Sequence, residues 1–277
     1  MPTIVGVFRE AEYSPGKVED DAAILDRTAA ALTGRGFAVR LGEPALALAD
    51  DVDAVLAMCQ SPAALAVLDA AAARVPVLNA PVAIRNCFRT ETVRLLTAAA
   101  PFPATTIVAT AAPDAVDPAG VGTPCWVKRG DVHAMARDDV VFAADRAALG
   151  AALARLRARG IVAAAVQAHV AGPVVKFYGV ADGRFFRCYT DGADVPAPVE
   201  RLWAAARAGA ALLGLDVFGG DLVVTPEGEP VLIDVNDWPS FARCRDEAAD
   251  AIAGYVADRV AVRRQPHRAS APRRVHA

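Results

Sequence analysis

Lysine is almost missing from this chain. Of 29 basic side chains in 277 residues, only Lys17, Lys128 and Lys176 are lysine, and the rest are arginine. A chain biased so strongly to arginine keeps lysine where a compact, rotatable ammonium is wanted instead of a planar fork. Cysteine is also sparse: the five residues are scattered and form no C-x-x-C. That spacing excludes a disulfide framework and a clustered zinc site, and it fits reduced thiols in the cytoplasm. No apolar run reaches the roughly 18 residues of a membrane span. The first residues have neither the basic start nor the apolar stretch of a secretory signal. Two phosphate-binding signatures are absent as well. No G-x-G-x-x-G follows the first strand, and G-x-x-x-x-G-K-[ST] occurs nowhere, so neither a Rossmann dinucleotide site nor a P-loop is supported.

What is present describes a globular protein, 55% hydrophobic and 22% charged. The net charge of −3 conceals an asymmetry, because residues 263–277 carry five arginines and no acid. The body before them holds 24 basic against 32 acidic residues, or −8, which disfavours nucleic acid as a ligand. Residues 263–277 read as a disordered basic tail.

Hydrophobic patterning divides the chain. Over residues 1–80 short β-branched runs (3–8, 37–41, 52–58, 75–78) alternate with helical patterns (19–32, 62–73), which predicts a small, open, parallel α/β domain. One helix is expected over residues 81–100, carrying Arg85, Arg89 and Arg94. After Pro101-Phe-Pro103 the pattern becomes mainly antiparallel strands, with helices at 145–159, 200–213 and 247–259.

The strongest local signal is a hairpin, Gly219-Gly-Asp-Leu-Val-Val-Thr-Pro-Glu-Gly-Glu-Pro-Val-Leu-Ile-Asp-Val-Asn236. If Thr225 faces Pro230, Asp221 lies opposite Asp234, with Asn236 on the same face and Gly219 across from it. Like charges paired across strands are destabilising, so two carboxylates within apolar strands suggest a hard cation between them. Oxygen ligands from Asp221, Asp234 and Asn236 suit magnesium. A solvent-facing acidic hairpin is the plain alternative.

This hairpin resembles the metal end of the ATP-grasp superfamily, in which an Asp-bearing strand is followed by Asp/Glu-x-Asn. Pro124-Cys-Trp-Val-Lys128 resembles the strand whose lysine reaches the nucleotide phosphates. Val166-Gln167-Ala168-His169-Val170 resembles the hinge that holds adenine, and Arg89 lies in a helix similar to one that brings a base to the phosphates. The resemblance spans residues 1–260 and implies an α/β (α+β) fold. Its parts would be an N-terminal domain (1–80) and an ATP-grasp domain (81–262), the latter with a lid at about 104–168 and a metal-binding part at about 169–262. It also implies ATP and magnesium, expected as two ions. Its partners would be ATP and a small-molecule acceptor, not nucleic acid or membrane; a homo-oligomer is left open.

The reaction expected by resemblance is phosphorylation of a carboxylate, followed by amide formation, as in ligases of the glutathione synthetase and RimK type. An alternative is a kinase acting on a hydroxyl, as in the inositol phosphate kinases. Lys176, and His133 shortly after Lys128, look like that branch. Lys128, Lys176, Arg187 and His133 are the expected catalytic groups. Arg89, Lys128, Gln167, His169 and Val170 are expected at the nucleotide. Tyr13, Ser14, Lys17, Ser240, Arg243 and Arg245 are further candidates for acceptor contacts, although Asp237-Trp-Pro-Ser240 departs from the usual Pro-Gly. The polar stretch 129–139, with Gly130 and three aspartates, is expected to be a flap.

Overall fold

The structure, a computed structural model, describes residues 1–111, 121–181, 183–192 and 194–264. Most of the basic tail, from residue 265 on, lies outside them, whereas Arg263 and Arg264 end the last helix.

Among the described residues, three four-stranded sheets form the fold. The first is parallel, in the order β2-β1-β3-β4, from β1 (Thr3–Val7), β2 (Ala38–Gly42), β3 (Ala54–Ala57) and β4 (Val77–Leu78). Helices α1 (Val18–Gly34) and α2 (Pro62–Ala72) make its crossovers. All four residues of β3 are buried, as a strand covered on both faces requires. Ser61 starts α2 by accepting a hydrogen bond from the Ala64 amide, and Pro62 occupies the first turn, where its missing N–H is harmless.

The helix expected over 81–100 is two: α3 (Pro81–Asn86) and α4 (Arg89–Leu96). The chain turns at Cys87-Phe88, where Phe88 is extended and the Thr92 hydroxyl donates to the Asn86 carbonyl. Periodicity alone could not show this break, because neither Gly nor Pro marks it.

The second sheet is antiparallel, in the order β5-β8-β6-β7, from β5 (Thr105–Ala109), β6 (Cys125–Arg129), β7 (Val140–Ala143) and β8 (Ala163–Ala168). Helix α5 (Arg146–Ala158) buries Leu149, Leu153 and Leu156 against one face. Lys128 and Gln167 belong to the other face.

The third sheet has the order β10-β9-β11-β12, from β9 (Val174–Val180), β10 (Phe185–Tyr189), β11 (Val217–Val224) and β12 (Pro230–Asp237). Helix α6 (Val199–Leu213) covers one face with Leu202, Ala206 and Leu213, and stops at Gly214 in the left-handed conformation (φ 77°). Tyr178, Val180 and Val217 on the other face join a core with α1 and the last helix, α7 (Arg245–Arg264). That shared core ties the third sheet to the first. Four ion pairs between α7 and the N-terminal elements border it: Arg27–Asp246, Arg35–Asp250, Arg245–Asp20 and Arg264–Asp53.

Candidate active site

Asp221 faces Asp234 and Gly219 faces Asn236, as the hairpin pattern predicts, but the route to that register differs. Near the turn Val224, not Thr225, pairs with Pro230, and Leu222 pairs with Leu232. The register then shifts between Asp221 and Leu222, so Ile233 is an extra residue without a partner on β11. This bulge restores the alignment of the two carboxylates. It also leaves the Ile233 carbonyl to accept from Lys128 Nζ at 2.8 Å.

Gly219 lies where two neighbouring segments approach the strand closely. A Cβ there would come within 2.8 Å of the Pro239 ring and 2.9 Å of the Phe177 carbonyl oxygen. The chain folds back over the strand at this point, through Trp238 (φ 33°) and Phe241 (φ 49°), both fully buried and both left-handed. Such a backbone is unfavourable outside glycine and must be held. Trp238 Nε1 donates to the Leu78 carbonyl at 2.9 Å, and Arg9 Nη2 donates to the carbonyls of Asp237 and Trp238 at 3.1 and 3.0 Å.

Each carboxylate is balanced by a cation. Asp234 Oδ1 accepts from Arg89 Nη1 at 2.7 Å, and Asp221 Oδ1 from Lys176 Nζ at 2.9 Å. Burial pushes the Asp234 carboxyl upward, but Arg89 and Lys128 overcome this and hold it well below the usual carboxylate range. The Asp221 carboxyl is raised, because its burial outweighs Lys176. Burial lowers Lys128 to about 8, with the Arg89 charge acting in the same direction. Asn236 Nδ2 donates to Asp234 Oδ2 at 3.1 Å, so the amide oxygen is the atom it could offer a cation.

That donor set is all oxygen. Among the described residues no group of three or more His, Cys, Asp or Glu could hold a metal, so a softer or wholly anionic site is not offered. Two carboxylates and an amide fit magnesium, which retains waters and takes phosphate oxygens.

Two cavities meet at these carboxylates. One, of about 300 Å³, is lined by Arg89, Lys128, Gln167, His169 and Val170 together with Asp221 and Asp234. His169 is placed by Trp126, whose Nε1 donates to His169 Nδ1 at 3.2 Å. The other, of about 390 Å³, shares Asp221 and Asp234 and adds Asn236, Lys176 and His133. Tyr13, Ser14, Lys17 and Ser240 line it too. His133 Nε2 lies 2.9 Å from the Tyr13 carbonyl, which can only accept, so that nitrogen carries the proton and Nδ1 is left as an acceptor. Burial, with Arg9 second, lowers the His133 pKa and favours the neutral ring.

Arg187 is not brought to either cavity. It stands on the edge strand β10, pairs with Glu247 of α7 and lines a separate surface cleft. Arg245 likewise pairs with Asp20, and Arg243 stacks over Tyr189. The structure instead supplies Arg9, Asp21, Gln60 and Asp237, all lining the larger cavity. Arg9 Nη1 pairs with Asp21 at 3.1 Å, Ser14 Oγ donates to Asp21 at 2.7 Å, and Gln60 Nε2 donates to Asp237 Oδ1 at 2.9 Å. The only sequence signal for Arg9 and Gln60 was their place just beyond the carboxyl ends of β1 and β3, where open α/β sheets bind ligands.

No family model matches the chain, and no curated protein matches it by sequence. Solved structures do match. The RimK domain ATP-grasp protein from Sphaerobacter thermophilus is 23% identical, with a TM-score of 0.65 over 92% of this chain and 99% of that one. D-cycloserine synthetase DcsG is 18% identical, with a TM-score of 0.64 over 93% of this chain and 99% of that one. The VanG D-Ala:D-Ser ligase from Enterococcus faecalis is 14% identical, with a TM-score of 0.67 over 94% and 98%. The chain has the ATP-grasp fold, that of the superfamily its hairpin resembles.

Proposed function

We propose that the protein is an ATP-dependent carboxylate–amine ligase. The observation that carries this reading is the meeting of two cavities at one pair of carboxylates, Asp221 and Asp234. The smaller cavity would hold ATP, its adenine at Gln167, His169 and Val170 and its phosphates at Lys128 and Arg89. The larger would hold the acceptor. Asp221, Asp234 and Asn236 would hold magnesium, two ions by the family resemblance. When bound, magnesium neutralises phosphate charge.

The protein's own work is positioning and charge balance. An acceptor carboxylate oxygen would form a bond to the γ-phosphorus while the bond to the ADP oxygen breaks. An amine would then attack the acyl phosphate, giving an amide and phosphate with loss of a proton from nitrogen. Lys176, beside Asp221, would stabilise charge on the transferring group. Neutral His133, held by Tyr13, would position the loop that covers it.

A kinase acting on an inositol polyphosphate fits less well. The cations lining the larger cavity are each paired with a carboxylate: Arg9 with Asp21, Lys17 with Asp20 and Lys176 with Asp221. A polyanion would find no dense basic surface there. Two structural neighbours, VanG, named as a ligase, and DcsG, named as a synthetase, support the same choice. The test is a screen of ATP consumption over amino acids, small acids and inositol phosphates. Amide with ADP and phosphate is expected; a phosphorylated hydroxyl with ADP alone would overturn the ligase.

A further inference from the structure

Gln60 and Asp237 are among the most deeply buried polar side chains, 4% and 3% exposed, and both line the larger cavity. Gln60 Nε2 donates to Asp237 Oδ1 at 2.9 Å, which fixes the amide orientation, since turning it over would set oxygen against oxygen. This leaves Gln60 Oε1 and Asp237 Oδ2. Both are buried, and neither accepts a hydrogen bond from the described residues. Arg9 Nη2 stands 3.5 Å from Asp237 Oδ2, but it already donates to the Asp237 and Trp238 carbonyls. Buried acceptors without donors are unfavourable, and native proteins rarely keep two together unless something outside the chain serves them.

In the same cavity His133 Nδ1 is a further acceptor, and Arg9 is committed to Asp21 and to the Asp237 and Trp238 carbonyls. At the Asp221–Asp234 end the polarity reverses, because the Lys176 ammonium has three hydrogens and gives one to Asp221. A ligand that complements both ends has hydrogen donors and positive charge at one end and a carboxylate at the other.

We infer that Gln60 and Asp237 form the recognition site for the primary ammonium group of an amino-acid substrate. Its carboxylate points to Lys176 and the Asp221–Asp234 pair, where phosphorylation would take place. This assignment rests on the ligase reading and narrows its acceptor to an amino acid. A hydroxyl in place of the ammonium offers one donor and no charge to balance Asp237, and a phosphate brings repulsion.

Calorimetry on the full chain, saturated with magnesium and the non-hydrolysable analogue AMP-PNP, tests it without turnover. The probes are both enantiomers of alanine, serine, aspartate and glutamate, each against its des-amino partner: propionate, 3-hydroxypropionate, succinate or glutarate. At least one amino acid is expected to bind about tenfold or more tightly than its partner, the worth of a charge-assisted hydrogen bond. Asp237→Asn and Gln60→Met are each expected to weaken that amino acid by about tenfold and to shrink the ratio, with AMP-PNP affinity unchanged. Should one variant lose AMP-PNP affinity through misfolding, the other and the wild-type ratio decide. Equal binding within the pairs, binding by no amino acid, or variants that keep the full ratio would overturn the assignment. Failure of the wild type to bind magnesium–AMP-PNP would overturn the ligase reading itself.

Discussion

The ammonium of Lys128 lies 2.8 Å from the carbonyl oxygen of Ile233, the residue inserted by the bulge in β12. One irregularity therefore does two things. It aligns Asp221 with Asp234, and it releases a carbonyl that docks the lysine of the second sheet onto the third. The contact joins the two walls of the smaller cavity, since Lys128 and Ile233 both line it.

Nucleotide binding should take up a proton above neutral pH. Burial lowers Lys128 to about 8 in the free protein, and phosphates favour its charged form. Between pH 8 and 10, AMP-PNP affinity is expected to fall by up to about tenfold per unit, with uptake approaching one proton. Calorimetry in buffers of different ionisation heat measures this, and Lys128→Arg should abolish it. Stability of the free protein moves the other way. The unfolded chain keeps that proton up to the ordinary lysine value of 10.5, so this contribution to stability grows as pH rises from about 8.

The two carboxylates should respond differently to neutralisation. Both Asp221→Asn and Asp234→Asn are expected to lose manganese binding, read by electron paramagnetic resonance in the presence of AMP-PNP. Asp221→Asn frees only half-exposed Lys176 and should leave the melting temperature nearly unchanged. Asp234→Asn strands buried Arg89 and Lys128 and should lose about 3–5 kcal/mol in denaturant unfolding. Relief of like-charge repulsion would have stabilised both, so the sign for Asp234 decides.

Replacing lysines by arginine separates the three. Lys17→Arg changes an exposed pair with Asp20 and should stay within about 0.5 kcal/mol and leave KM for ATP unaltered. Lys128→Arg puts a planar fork into a buried slot and should raise KM for ATP at least about tenfold. Lys176→Arg should lower kcat more than it raises KM for ATP. Wild-type rates in the last two would make these lysines incidental.

The segment 129–139 should move as a braced unit. The Asp139 carboxylate, fully buried, accepts from the Met135 and Ala136 amides, and Arg129 and Arg159 approach it to 3.1 and 2.7 Å. Asp139→Asn should speed amide hydrogen exchange across 129–139 and raise KM for ATP. Slow exchange in that variant would show that the bracing lies elsewhere. In the wild type, exchange should slow further with magnesium and AMP-PNP.

Much of the fold was legible because its signals are local. Two apolar runs around a Pro-Glu-Gly-Glu loop marked the hairpin that the structure forms from β11 and β12. The pairing of Asp221 with Asp234 was reached from a turn register one residue off, corrected by a bulge at Ile233 that alternation cannot show. Arg187 was misplaced for a related reason. A strand pattern tells which residues share a face, and Arg187 does share the face of Tyr178, but not that β10 would be an edge strand whose arginine turns to Glu247.

By itself the sequence determined the order of elements, the scarcity of lysine that drew attention to Lys128 and Lys176, and the oxygen-rich end of the hairpin. Only tertiary structure decided what faces them. Arg9 and Gln60 are remote in sequence from Asp237, and nothing in their local pattern differs from any polar residue after a strand. They meet because Tyr178, Val180 and Trp238 share one core with α1 and α7, and burial of that apolar surface presses the first sheet against the third. Contacts across such a junction depend on which faces are buried together, a property of the packed whole that no window of neighbouring residues contains.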